Sequence, residues 1–135
     1  MEVPARNGIG EPRAVAAAYD AAVTGKLGLS AATLDALIQP AQPPSGGCVD
    51  VVLRTPVAFS LGYINSMPGL PFGSSANAAF GTPGNGGSFG LADPDTGIGY
   101  CYAPNRLGFG LIDQREIALR DALYSDVLGA RSQRP

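Results

Sequence analysis

Apolar residues recur at helical spacing near the start of the chain, and the flanking residues mark where two helices begin and end. Pro12 suits the first turn of a helix, where its missing N–H is not needed. The apolar positions that follow are Ala14, Val15, Ala18, Tyr19, Ala22 and Val23. Gly25 indicates the end of this helix. Ser30 predicts the cap of a second helix over residues 31–39, which Pro40 ends.

After a Pro/Gly-rich loop at 40–47, the pattern changes to β-branched and aromatic residues. The segments 49–53 and 57–63 predict two strands. A glycine-dense segment at 80–90 then leads into a predicted hairpin with strands at 88–92 and 98–103. In its turn, Pro94 presets φ and Gly97 can adopt the positive φ that closes it.

The last predicted element is a helix over 113–128, in which Asp113 and Glu116 form a D-x-x-E variant of the capping box. The order of elements predicts an α+β fold, in which an antiparallel five-stranded sheet is flanked by helices. We expect one domain over 1–135. Its parts are a helical segment at 11–39, a sheet at 49–104 and the C-terminal helix at 113–128.

Composition excludes several kinds of chemistry. The 135 residues contain no histidine, which excludes Ser-His-Asp and Cys-His catalysis and histidine-based zinc sites within this chain. The net charge is −2 and no basic cluster is present, so the sequence argues against a nucleic-acid partner. Neither a metal site nor a cofactor site is indicated, because the phosphate-binding glycine motifs and the metal-ligand spacings are unmatched.

Two features of the sequence indicate the compartment. The first twelve residues lack a cationic head followed by an apolar run, and no stretch of about 18 apolar residues occurs, so we expect no membrane partner and a cytoplasmic location. Cys48 and Cys101 fit no CxxC pattern and are expected to be free thiols.

Three short motifs have ordinary structural explanations that outweigh the functional ones. Residues 86–90 match the G-x-S-x-G elbow of α/β-hydrolases, but a strand follows instead of a helix, and close strand packing explains the glycines better. Residues 63–65 match the Y-x-N spacing of serine β-lactamases at the end of a predicted strand. Asp93 and Asp95 are typical turn residues beside a proline.

Four features of the glycine-dense region occur in a specific order: Thr82-Pro83-Gly84, then Gly86-Gly87, then Asp93-Pro94-Asp95, then Asn105-Arg106. This order resembles the C-terminal part of the β-lactamase-related serine hydrolases, which include class C β-lactamases, DD-peptidases and β-lactamase-like carboxylesterases. Their third motif is K-T-G or H-x-G, followed by a glycine pair, a D-P-E-like turn and an N-[KR] ending. The resemblance covers roughly residues 5–128.

The resemblance implies an incomplete part of the β-lactamase/DD-peptidase-like fold. The residues that match the third motif and form the substrate wall and oxyanion hole are Thr82, Pro83, Gly84, Asn85, Gly86 and Gly87. We expect 82–85 on a strand beside an open cleft, with the Asn85 N–H unpaired and available to an oxyanion. The usual cation of the motif is replaced by Thr82. The S-x-x-K nucleophile motif is absent, so no catalytic residue is assigned in this chain.

Three functions follow from these observations. The first is the C-terminal fragment of a carboxylesterase-type serine hydrolase, acting on small-molecule esters or amides through an acyl-enzyme in the full-length parent. The second is a non-catalytic remnant or binding module that uses an exposed sheet, with self-association as one consequence. The third is an unrelated α+β domain whose hairpin only imitates the motif.

Overall fold

A computed structural model describes residues 8–40, 49–67, 72 and 78–129. The helices are α1 (Pro12–Val23), α2 (Ala31–Ile38) and α3 (Gln114–Ala122), and α3 continues as a π-helical segment, Leu123–Leu128. The strands are β1 (Ile64–Asn65), β2 (Phe80–Pro83), β3 (Phe89–Asp93) and β4 (Ile98–Tyr102). The fold class predicted from the sequence, α+β with an antiparallel sheet, is confirmed.

The sheet is a simple meander in the order β1-β2-β3-β4, and every neighbouring pair is antiparallel. The predicted hairpin is confirmed between β3 and β4, where Asp93 pairs with Ile98. Gly97 closes its turn with φ +68°, and its N–H donates to the Asp93 carbonyl at 2.8 Å. Within the described residues, β4 is therefore an edge strand.

Helix α1 covers one face of the sheet and packs against β3 and β4. Two glycines make this approach possible. A Cβ on Gly99 would lie 2.1 Å from the Ala16 carbonyl oxygen, and a Cβ on Gly90 would lie 2.6 Å from the Tyr19 ring. Because no real side chain tolerates such distances, glycine is required at both positions.

The opposite face of the sheet carries buried apolar side chains and meets the C-terminal helix. Phe72, Phe89 and Leu91 are buried together there. The guanidinium of Arg120 lies 5.2 Å from the centre of the Phe89 ring, a cation–π distance. The Tyr124 hydroxyl donates to the Asp93 carboxylate at 2.6 Å, so the predicted packing of this helix on the sheet is confirmed.

The number of strands differs from the prediction, because the described residues form four strands where five were expected. The segments 49–53 and 57–63 make only isolated bridges, from Val49 to Pro56 and from Phe59 to Ile64. The cause in the first segment is local, because the Asp50 carboxylate accepts the N–H groups of both Val52 and Leu53 and folds the chain into a turn.

The C-terminal helix begins where predicted, but the predicted capping box does not form. Asp113 caps α3 by accepting the Arg115 N–H at 2.9 Å. Glu116 does not complete the box, because it is buried and bonded to Arg120 one turn later. No described helix is long and apolar enough to cross a membrane. Cys101 is a free thiol, whereas Cys48 lies outside the described residues.

Candidate functional site

The residues that match the third motif lie on the end of β2 and on the turn that follows it. Thr82 and Pro83 are on the strand, whereas Gly84 and Asn85 lie beyond its end, so the strand is shorter than predicted. The Gly84 N–H donates to the Ser88 carbonyl at 2.7 Å, and the Gly87 N–H donates back to the Gly84 carbonyl at 3.1 Å. Residues 84–88 therefore form a tight connection between β2 and β3, here called the motif turn.

Asn85 is the exposed tip of the motif turn. Among the residues that the structure describes, no carbonyl or side chain accepts a hydrogen bond from its N–H. Gly86, immediately after it, has φ +93° and uses both of its backbone groups in hydrogen bonds to the loop at 105–112. The turn is thus fixed on one side of Asn85 while the Asn85 N–H itself stays available.

A cleft of about 510 Å³ lies beside the end of β2. Its walls come from the start of α1, from the end of β2 and from the neighbouring parts of β3 and β4. The residues that line it are Gly8, Ile9, Gly10, Pro12, Val15, Tyr19, Thr82, Pro83, Gly84, Ser88, Phe89, Gly90, Cys101, Tyr102 and Ala103. No charged side chain belongs to this lining in the described part of the chain.

Two ionisable groups in the cleft are held in their neutral forms. Burial, reinforced by the neighbouring Tyr63, raises the pKa of Tyr19 to about 12, and the nearby Thr82 side chain offsets only part of this shift. Burial also raises the pKa of the Cys101 thiol, so little thiolate is present at neutral pH. The cleft therefore presents hydroxyl and thiol groups and backbone dipoles to a ligand, and no fixed charge.

The G-x-S-x-G and Y-x-N matches have structural roles, as expected. Ser88 is followed by β3 and not by a helix, so residues 86–90 are not a nucleophile elbow. Tyr63 packs edge-to-face against Tyr19 and Phe80. The buried Asn65 side-chain amide donates to the Leu37 carbonyl at 2.8 Å and so ties β1 to α2.

Three residues near the site were not found from the sequence. Tyr19 reaches the cleft from α1, and Asp113 and Arg115 contact the motif turn and its supporting loop from the start of α3. Tyr19 lies more than 60 positions before Thr82, so no local pattern links them. For Asp113, the capping signal predicted the correct helix start but did not indicate that the carboxylate contacts Gly87.

Comparison with known proteins relates the chain to one group. It is 33% identical over 108 residues to the esterase/beta-lactamase LipL of Mycobacterium tuberculosis, and the match covers 78% of this chain and 24% of LipL. A family VIII carboxylesterase structure superposes with a TM-score of 0.72 at 30% identity, covering 86% of this chain and 31% of the carboxylesterase. No protein-family model matches the chain.

A second solved structure agrees with these two matches. A penicillin-binding protein homolog from Caulobacter crescentus superposes with a TM-score of 0.69 at 29% identity, covering 84% of this chain and 31% of the homolog. The chain therefore spans 24–31% of the length of these relatives. In sequence and fold, the chain is therefore similar to one part of the β-lactamase-related serine hydrolases.

Proposed function

We propose that this chain supplies the oxyanion-binding wall of an acyl-transfer site, in an enzyme of the carboxylesterase type that acts on small esters. The observation that carries the proposal is the free Asn85 N–H at the tip of the motif turn, next to Gly84, which lines the cleft. A backbone N–H aimed at the developing oxyanion of a tetrahedral intermediate is typically worth about 3 kcal/mol of transition-state stabilisation. Fixing such a donor on a rigid turn costs no reorganisation during the reaction.

The lining of the cleft favours neutral esters over carboxylate-bearing β-lactams. Where the β-lactamase-related hydrolases have lysine or histidine, this chain has the Thr82 hydroxyl, and the described lining of the cleft contains no cation. A substrate carboxylate would lose water on entering such a cleft without gaining a charged partner. A neutral ester avoids this desolvation cost, and its carbonyl oxygen needs only the N–H donor.

The proposal assigns the nucleophile to sequence other than residues 1–135. The only lysine, Lys26, is not preceded by a serine at the S-x-x-K spacing, and Ser88 has no histidine to deprotonate it. Cys101 is held as a neutral thiol. A cytoplasmic location is also part of this proposal and rests on the sequence alone.

The isolated chain is expected to hydrolyse p-nitrophenyl butyrate no faster than buffer, because acyl transfer needs an activated nucleophile. A chimera, in which this chain replaces the matching region of the family VIII carboxylesterase, is expected to release p-nitrophenolate. It should turn over the butyrate ester faster than a chromogenic cephalosporin. Absorbance assays on both proteins measure these rates.

The controls separate the possible origins of any activity. Changing the serine of the S-x-x-K motif in the chimera to alanine should abolish turnover. Turnover by the isolated chain that disappears in a Ser88→Ala variant would refute the proposal and make residue 88 the nucleophile.

The second candidate is a binding module that acts through the edge of its sheet. The observation in its favour is β4, a five-residue strand with half-buried residues that lies at the edge of the sheet formed by the described residues. An unpaired strand edge is a template for pairing with another chain. A chimera that folds but stays inactive, together with concentration-dependent sedimentation of the isolated chain, would favour this function over the esterase.

A further inference from the structure

The motif turn is held from outside by the loop at 105–112. Gly86 exchanges two hydrogen bonds with this loop, because its N–H donates to the Gly110 carbonyl at 2.8 Å and its carbonyl accepts the Gly108 N–H at 2.7 Å. Leu107 packs directly on Gly86, where a Cβ would lie 2.7 Å from the leucine Cδ2. The conformation of the motif turn therefore depends on the conformation of this loop.

The loop is in turn closed by an ion pair at the start of α3. The Arg115 guanidinium donates through Nε to Asp113 Oδ1 at 2.9 Å, and its Nη2 also binds the Asp113 carboxylate. The same Nη2 donates to the Arg106 carbonyl at 3.0 Å. One planar guanidinium thus joins both ends of the loop that supports Gly86, a task that its fork of donors suits.

The Asp113 carboxylate also contacts the motif turn itself. A Cβ on Gly87 would lie 2.5 Å from Asp113 Oδ2, and a Cβ on Gly108 would lie 2.8 Å from the same oxygen. The Asp113 side chain is only 8% exposed. The guanidinium and the backbone N–H of Arg115 both donate to the Asp113 carboxylate. They hold the pKa of Asp113 at about 2, so the carboxylate is charged in neutral solution.

We propose that Asp113 and Arg115 are positioning residues, which lock the motif turn through the 105–112 loop and thereby hold the Asn85 N–H in place. The proposal rests on the proposed function only for the role of Asn85. Neither residue is assigned contact with substrate. What they determine is the rigidity of the turn, which is measurable without catalysis.

The test is 15N relaxation on the isolated chain and on its Asp113→Asn variant. Asparagine caps a helix about as well as aspartate, so α3 keeps its first turn while the charged pair with Arg115 is lost. The order parameters of the Asn85, Gly86 and Gly87 amides are expected to fall from about 0.85 to below about 0.6. The amides of β3 and β4 should stay near 0.85.

Two further variants make the result specific. Asp121→Asn makes the same charge change at an exposed position of α3 and should leave the motif turn rigid. Arg115→Lys keeps the charge but replaces the fork with a point charge, so it should loosen the turn as Asp113→Asn does. If Asp113→Asn fails to fold, Arg115→Lys gives the same test. A turn that stays rigid in the folded variants would overturn the proposal.

Catalysis provides the second readout. In the active chimera, Asp113→Asn is expected to lower kcat by about 100-fold, because a displacement of about 1 Å has that effect, while KM changes by less than about twofold. A rigid turn in the variants defeats the positioning role and leaves the esterase proposal standing. An inactive chimera defeats the esterase proposal and leaves the relaxation result standing.

Discussion

An Asn85→Pro variant of the active chimera is expected to lose about 10²–10³-fold in kcat, the typical cost of removing one oxyanion donor. Proline deletes the backbone N–H without disturbing the turn. The Gly87 N–H closes a four-residue turn onto the Gly84 carbonyl, and Gly86 has φ +93°. This is the arrangement of a type II turn, in which proline is common at the second position, the one that Asn85 occupies.

The matched control is Asn85→Ala, which removes the same side chain but keeps the N–H. Its kcat is expected to stay close to that of the parent chimera, since only the backbone donor is assigned a role. Equal losses in the two variants would show that the side chain matters and not the backbone donor. An unchanged kcat in Asn85→Pro would remove Asn85 from the oxyanion hole.

A Glu116→Ala variant of the chain is expected to lose about 3–5 kcal/mol in the free energy of unfolding, the usual cost of breaking a buried ion pair. Glu116 and Arg120 are joined at 2.8 Å, and their side chains are only 4% and 6% exposed. Removing the carboxylate leaves the guanidinium buried over the Phe89 ring without this acidic partner. Urea unfolding followed by circular dichroism measures the change.

Two comparisons identify the cause of that loss. Asp121→Ala removes an exposed carboxylate from the same helix and should leave the free energy of unfolding unchanged. A Glu116→Leu/Arg120→Met double variant should recover most of the loss, because apolar residues of similar size often replace a buried ion pair at little cost. A loss in Glu116→Ala of less than about 1 kcal/mol would contradict the account.

The elements predicted correctly from the sequence are those fixed by local signals. Ser30 caps α2 by accepting the Thr33 N–H, and Gly97 provides the positive φ that closes the β3–β4 hairpin. In each case the residues that decide the conformation lie within a few positions of one another. The order of elements predicted that neighbouring strands pair in antiparallel fashion, and β2 and β3 do so.

The elements predicted wrongly are those in which a side chain close by in the sequence takes a competing partner. The β-branched segment at 49–53 suits a strand. However, the Asp50 side chain accepts hydrogen bonds from the Val52 and Leu53 N–H groups, and these groups therefore do not pair with a neighbouring strand. Glu116 matched a capping box by spacing, yet burial against Arg120 determined its partner. Sequence spacing alone does not distinguish these outcomes.

The surroundings of the candidate site were only partly predictable from the sequence. The resemblance indicated residues 82–87; of these, Thr82, Pro83 and Gly84 line the cleft, and the Asn85 N–H has no acceptor among the described residues. The support from Asp113 and Arg115 was not predictable, because these residues reach the turn across more than 25 positions of the chain. A positioning contact of this kind can be recognised only from the three-dimensional arrangement of the loop and the turn.

The most direct test of the oxyanion wall is a crystal structure of the active chimera, with a phosphonate ester bound to its nucleophilic serine. The phosphonyl oxygen mimics the oxyanion of the tetrahedral intermediate. The account predicts this oxygen at about 2.7–3.1 Å from the Asn85 nitrogen, in line with its N–H. A phosphonyl oxygen bound by other donors, with the Asn85 N–H turned away or more than about 4 Å distant, would contradict it.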